Sequence, residues 1–107
     1  MLEHTETRTT ETLAATDSTQ LTADTENAET VHLMVDDGQG GQPATYDLLQ
    51  EVYSPGESDW MPYAETTATQ ARSFTDGAVP HEWRITVTNT SGAQATYRLR
   101  LIATAPR

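Results

Sequence analysis

Histidines, paired carboxylates and hydroxyl-bearing residues are the side chains through which this sequence could carry chemistry, and their spacing decides whether it does. His4, His32 and His81 are too far apart in sequence for a metal-ligand motif, and without Cys there is no thiolate to complete a structural zinc site. Nucleophilic catalysis is as poorly supplied: no Cys, no Lys for a Schiff base and no Gly-x-Ser-x-Gly elbow, while His81 follows Pro80 and reads as a loop residue. Asp36 with Asp37, and Glu57 with Asp59, are paired carboxylates of the kind that divide acid and base work once a pocket shifts one pKa. Sixteen Asp plus Glu in 107 residues produce such pairs by composition. No catalytic residue, metal site or cofactor is expected, and the chain does not read as an enzyme.

Binding chemistry has more candidates. Asp36-Asp37-Gly38-Gln39-Gly40 could offer carboxylate and carbonyl oxygens to a hard cation, but it lacks the twelve-residue calcium-loop pattern and its closing Glu. A Gly-rich hairpin turn with solvated acids is the simpler reading. Asn89-Thr90-Ser91 matches the N-glycosylation acceptor and would need an exposed turn and export. Arg84, Arg98 and Arg100 alternate with apolar residues and so should share an outward face, where they would pair with cross-strand carboxylates or dock on an acidic neighbour. Trp60 and Tyr63 would stack on sugar rings if exposed and belong to the core if buried; Trp83 reads as core.

The charge balance says where such a surface would work. Six Arg, no Lys and sixteen acids give a net charge of −10, and the pI is near 4.4. Roughly six Lys would be expected at this length. Arg in place of Lys, an acid excess and abundant Thr fit a protein kept soluble in molar salt, where the Debye length falls to about 3 Å and carboxylate repulsion is screened. Low salt should then unscreen Asp36, Asp37, Glu51, Glu57 and Asp59 and loosen the fold. An acidic chain repels nucleic acid, and without a long apolar run or a signal-like segment no membrane association is expected.

The elements follow from composition and alternation. Residues 1–30 hold ten Thr, seven acids and one Arg, with Leu2, Leu13 and Leu21 as the large aliphatics after Met1. That stretch is too polar to bury a core of its own and reads as an extended arm, its Thr5, Thr7 and Thr9 alternating with the period of a strand. From Val31 onward, short alternating segments are bounded by Gly, Pro, Asn and Asp. They include Val31–Val35, Ala44–Tyr53, the turn at Ser54-Pro55-Gly56-Glu57, an aromatic segment at Trp60, Met61 and Tyr63, and a polar stretch over Thr66–Phe74. Trp83, Ile85 and Val87, then Tyr97, Leu99 and Leu101, alternate with polar residues around the loop Asn89–Ala93, which predicts a β-hairpin with one buried face. No apolar stripe has a helical period. The expected fold is all-β: a small antiparallel β-sandwich or barrel over residues 31–107, about six strands, preceded by an extended N-terminal arm over residues 1–30. A core that small often needs oligomerisation.

Residues 44–103, with Tyr46-Asp47-Leu48, a Ser-Pro-Gly turn, a Trp, a polar stretch, Arg84-Ile85-Thr86-Val87-Thr88-Asn89-Thr90-Ser91-Gly92 and a closing strand, resemble small virion proteins of tailed viruses, including those of haloarchaea. The same strand grammar occurs in pre-peptidase C-terminal and carbohydrate-binding sandwiches. The resemblance implies a virion structural role, as a capsid decoration, turret or minor capsid component whose sandwich projects while the N-terminal arm anchors it, with no catalytic residues. The expected partners are the major capsid protein or other virion proteins and copies of the chain itself. Leu2, Leu13 and Leu21 on the arm and Arg84, Arg98 and Arg100 on the last two strands are the expected partner-binding residues. The alternative is a carbohydrate- or cell-surface-binding sandwich using Trp60 and Tyr63.

Overall fold

A computed structural model of the chain describes the backbone of residues 2–25, 28–68, 72–77 and 82–106, and the side chains of residues 3–25, 28–62 and 82–105. Period-two burial runs through it. Trp83, Ile85, Val87 and Asn89 are buried while Glu82, Arg84, Thr86 and Thr88 between them are partly exposed, as expected of strands with one face on a core. Eight strands result: β1 (Leu2–Leu13), β2 (Ser18–Asp24), β3 (Thr30–Asp36), β4 (Tyr46–Ser54), β5 (Asp59–Ala68), β6 (Arg72–Gly77), β7 (Glu82–Asn89) and β8 (Ala95–Pro106). No helix occurs among the described residues.

The strands form two antiparallel four-stranded sheets packed face to face, a front sheet of order β1-β8-β3-β6 and a back sheet of order β2-β7-β4-β5. The pairings β1·β8, β2·β7, β3·β6 and β4·β5 show the logic. The chain is one long hairpin with β4·β5 at its tip, rolled so that successive strand pairs fall alternately in the front and back sheets. The contacts β3·β8 and β4·β7 seal the roll. This is the double-sheet jelly roll. Its core lies between the sheets, with Leu33, Val35, Leu99 and Leu101 from the front and Tyr46, Leu48, Trp83, Ile85 and Val87 from the back. Tyr46 and Tyr97 meet edge to face across it, ring centroids 5.8 Å apart.

Two expectations are corrected. The all-β sandwich is found, but residues 1–30 are not an arm in front of it. β1 pairs with β8 over twelve consecutive positions and β2 with β7 over seven, while Leu13, Leu21 and Ala23 are buried in the core. A Thr-rich segment that cannot fold alone folds here because β8 and β7 supply the backbone partners and the apolar contacts it lacks. The sandwich therefore begins at β1 rather than at Val31.

The second correction concerns the C-terminal pair. β7 and β8 are strands with the expected faces, yet they are not hydrogen-bonded to each other: β7 lies in the back sheet and β8 in the front. As a hairpin they would set both apolar faces side by side in one sheet and leave other strands to cover them. Placed in opposite sheets, the same faces cover each other. The loop after Asp36 is likewise a crossover from β3 in the front sheet to β4 in the back sheet, not a hairpin turn. The expected turn at Ser54–Glu57 is a true hairpin, closed by the Glu57 N–H on the Ser54 carbonyl at 3.2 Å.

Deleting residues 1–30 should therefore abolish the cooperative unfolding transition of the remaining chain, since it removes an edge strand from each sheet. Leu21→Ala should cost about 2–4 kcal/mol in urea unfolding. A truncated chain that still melts cooperatively would restore the arm.

Candidate functional site

The outer faces of the two sheets differ in charge, and the strand registers explain how. On the front sheet, His4, Glu6, Arg8, Thr10 and Thr12 of β1 share the outward face with Arg98, Arg100 and Ile102 of β8 and His32, Met34 and Asp36 of β3. Three of the six arginines thus gather on one face of an acidic chain. The back sheet turns Asp24, Asp47 and Glu82 outward around the pair of Arg84 and Glu51.

Asp36 organises the front face. It stands opposite Arg98 in the β3·β8 register, and Arg98 grips it bidentately, Nε to Oδ1 at 2.9 Å and a terminal nitrogen to Oδ2 at 2.7 Å. Arg100 adds a bond to Oδ2 at 2.8 Å, and the Gly38 N–H donates to Oδ1 at 2.8 Å. Gly38 has φ +88°, which lets the chain curl back onto the carboxylate. Burial pushes the Asp36 carboxyl upward, but the Arg98 hydrogen bond, the Gly38 N–H and the charges of Arg98 and Arg100 together outweigh it, so its pKa lies below the ordinary value. The same contact, outweighing desolvation, raises the pKa of Arg98.

This arrangement changes the reading of the acidic loop. Asp36 is buried and its oxygens are committed to two guanidinium groups, while Asp37 Oδ1 accepts the N–H groups of Gln39 at 2.8 Å and Gly41 at 2.9 Å. The pair braces the crossover instead of lying solvated on a hairpin turn. No cluster of three potential ligands occurs among the described residues. Glu51, also expected among the solvated acids, is buried beneath Arg84.

Arg84 completes a second cluster on the back sheet. Its Nε donates to Glu51 Oε1 at 2.9 Å, and its guanidinium lies 4.4 Å from the Trp60 ring centroid. Tyr53 packs on Trp60 with centroids 5.5 Å apart. Trp60 is thus half-buried on the outer surface, with one ring face occupied by Arg84. Tyr63 and His81 lie outside the residues whose side chains are described.

At one end of the sandwich, Asn89 gathers three connections. Fully buried, its amide nitrogen donates to the carbonyls of Leu13 at 3.0 Å, Ala14 at 3.3 Å and Ala93 at 2.7 Å. Its Oδ1 accepts the Ser91 N–H at 2.9 Å and the Ser91 hydroxyl at 2.7 Å. The Tyr97 hydroxyl lies 3.1 Å from that oxygen and 2.9 Å from the Thr45 carbonyl, donating between them. Burial raises the Tyr97 pKa, against the effect of Ser91, which keeps the hydroxyl a donor. The Asn89 amide is therefore structural, and the sequon cannot accept a glycan in the folded chain.

Of the expected partner-binding residues, the structure brings Arg98 and Arg100 together and puts Arg84 on the opposite sheet. All three are held by carboxylates of their own chain. Leu13 and Leu21 are core residues and unavailable to a partner. The Leu2 side chain lies outside the described residues. Sequence reasoning missed Arg8, whose outward position depends on the unforeseen pairing of β1 with β8. It also missed Asn89 as a hub, for which the Asn beginning a turn was the available signal.

No family model and no curated protein matches the sequence. Solved structures do match the fold. A mitogen from Yersinia pseudotuberculosis aligns over 95% of this chain and 86% of its own, with a TM-score of 0.62 and 13% identity. Bacillus endospore appendages, described as disulfide-linked pili, align over 97% and 87%, with a TM-score of 0.57 and 14% identity. The pre-peptidase C-terminal domain of a Bacillus anthracis collagenase aligns over 89% and 87%, with a TM-score of 0.57 and 17% identity. At such identities the likeness shows the two-sheet β fold and nothing further.

Asn89→Ala should lower stability by about 2–4 kcal/mol in chemical denaturation, because several buried backbone carbonyls lose their donor together. Asn89→Asp should cost at least as much, since it turns a carboxylate toward those carbonyls. Asp36 has a folded pKa below its unfolded value, so its contribution is complete above about pH 4 and is lost as the pH falls through the folded pKa. Asp36→Asn should reduce stability at neutral pH more than Asp37→Asn does, and should flatten the acid limb of the stability–pH curve. Equal curves for wild type and Asp36→Asn would remove the clamp from the account.

Proposed function

We propose that this chain is a non-enzymatic structural protein of a halophilic virus particle, a capsid decoration, turret or minor capsid component packed among copies of itself and the major capsid protein. The observation that carries this reading is the polarised surface of a small jelly roll: a chain of net charge −10 with Arg8, Arg98 and Arg100 on one outer face and Asp24, Asp47 and Glu82 on the other. Capsid domains are among the uses of this architecture, so the fold supports the reading by analogy. Opposite charge on opposite faces suits repeated packing, in which modest contacts add up around a symmetric shell. The acid excess suits molar salt, where like-charged copies approach one another freely.

The arm-anchoring mechanism is replaced in this reading. Residues 2–24 are already paired within the fold, so attachment would proceed through the faces and edges of the finished sandwich. Carbohydrate or cell-surface binding through Trp60 is the other reading of such a module, and the guanidinium of Arg84 already occupies one face of that ring.

Quantitative mass spectrometry of gradient-purified particles from a halophilic culture tests the proposal. A fixed ratio of this chain to the major capsid protein, set by capsid symmetry, is the expected result. Absence from the particles would overturn it.

A further inference from the structure

The edge strands of the two sheets are protected unequally. β5 carries Pro62, and its pairing with β4 shifts by one residue between Gln50 and Glu51 so that β5 holds the extra residue, features that blunt an edge against further pairing. β2 is seven residues long. β1 runs for twelve residues in unbroken register with β8, without Pro, Gly or bulge, and among the described residues no strand lies on its other side. A straight edge of that length is a template for another strand. What selects the strand is the charge on it. Glu3, Glu6, Arg8 and Glu11 are the charged residues of β1 apart from His4, and only Glu6 and Arg8 among these four lie on the outward face.

Arg8 is poorly satisfied within its own chain. It stands opposite Arg100 in the β1·β8 register, a like-charge contact, and Arg100 is drawn away to Asp36. Among the described residues Arg8 reaches only Glu6, at 3.9 Å, with 68% of its side chain exposed. An antiparallel neighbour must keep outward residues opposite outward residues. Among such registers centred on the strand, placing Thr7 opposite Thr7 of a second copy sets Glu6 opposite Arg8 and Arg8 opposite Glu6. Sliding by one position at the symmetry axis puts Arg8 on Arg8 or Glu6 on Glu6.

We infer that the β1 edge is a self-recognition surface: two copies of this chain pair β1 with β1 antiparallel about Thr7, exchanging Glu6–Arg8 ion pairs across the two-fold axis and joining the two front sheets into one of eight strands. In this register Thr5 faces Thr9, His4 faces Thr10, and Glu3 faces Glu11. The last contact, together with the net charge of each copy, makes the association favour high salt, while the paired backbone and the central ion pairs fix the register. The inference goes beyond the virion reading and is tested on the isolated chain, so either can fail without the other.

The absence of Cys makes the register directly readable. In molar potassium chloride, Thr7→Cys should cross-link to itself under mild oxidation, and Thr5→Cys should cross-link with Thr9→Cys when the two are mixed but not with itself. Sedimentation equilibrium should give a wild-type dimer. Arg8→Glu should weaken it about tenfold or more, and the exchange Glu6→Arg with Arg8→Glu should restore it. Circular dichroism confirms that each variant is folded, and the restored double variant separates a lost contact from a lost fold. A wild-type chain that stays monomeric at all concentrations, Arg8→Glu dimerising as tightly as wild type, or Thr5→Cys linking to itself would overturn the inference.

Discussion

The buried amide of Asn89 is the point on which the rolled hairpin depends. A jelly roll has to hold several crossovers between its sheets, and at one end of this molecule three of them meet: the turn after β1, the end of the loop into β4 and the loop from β7 to β8. Asn89 holds the first through the carbonyls of Leu13 and Ala14 and the third through Ala93 and Ser91. Tyr97 ties the second to the same oxygen through the Thr45 carbonyl. Buried backbone groups must find partners, and one side chain with two donors and a strong acceptor satisfies several at once. The backbone of Asn89 joins in, its N–H donating to Asp17 and its carbonyl accepting from Thr16. Thr16 is held at φ 71°, unfavourable for a β-branched residue.

Once that end is fixed, the two sheets face each other and their outer surfaces divide the charge. The division is a consequence of strand parity. In β8 the residues between Tyr97, Leu99 and Leu101 are Arg98 and Arg100, so burying the apolar set turns both arginines outward on the front sheet. The same parity in β3 turns Asp36 outward beside them. The carboxylate that stabilises the crossover loop is thus also the one that restrains Arg98 and Arg100, and Arg8, at the edge, is left with a weak partner. Stability and surface chemistry are coupled there, because loosening Asp36 would both release the loop and free two cations.

Much of the local structure was legible in the residues. Alternation identified strands over residues 31–35, 44–53, 82–88 and 96–101, which the structure places with ends shifted by up to five residues, and the Ser54-Pro55-Gly56-Glu57 turn chose its own hairpin. Thr5, Thr7 and Thr9 correctly read as extended. Pairing was less legible. Backbone hydrogen bonds carry no mark of their partner in sequence, so two amphipathic strands separated by a short loop read as neighbours when they are in fact stacked across the core. The same limit made residues 1–30 look like an arm, because the apolar surface that orders them belongs to β7 and β8.

By itself, then, the sequence determined the strand period, the apolar faces, the acid excess and the lack of Lys and Cys, all of which are properties of side chains and their spacing. Tertiary structure decided which sheet each strand joins, that Asn89 is buried in place of capping an exposed turn, that Asp36 is a clamp and not a solvated acid, and that Arg8 lies at an open edge. Those outcomes depend on which distant backbone supplies the hydrogen bonds and which apolar face covers which, and closing the roll settles both together.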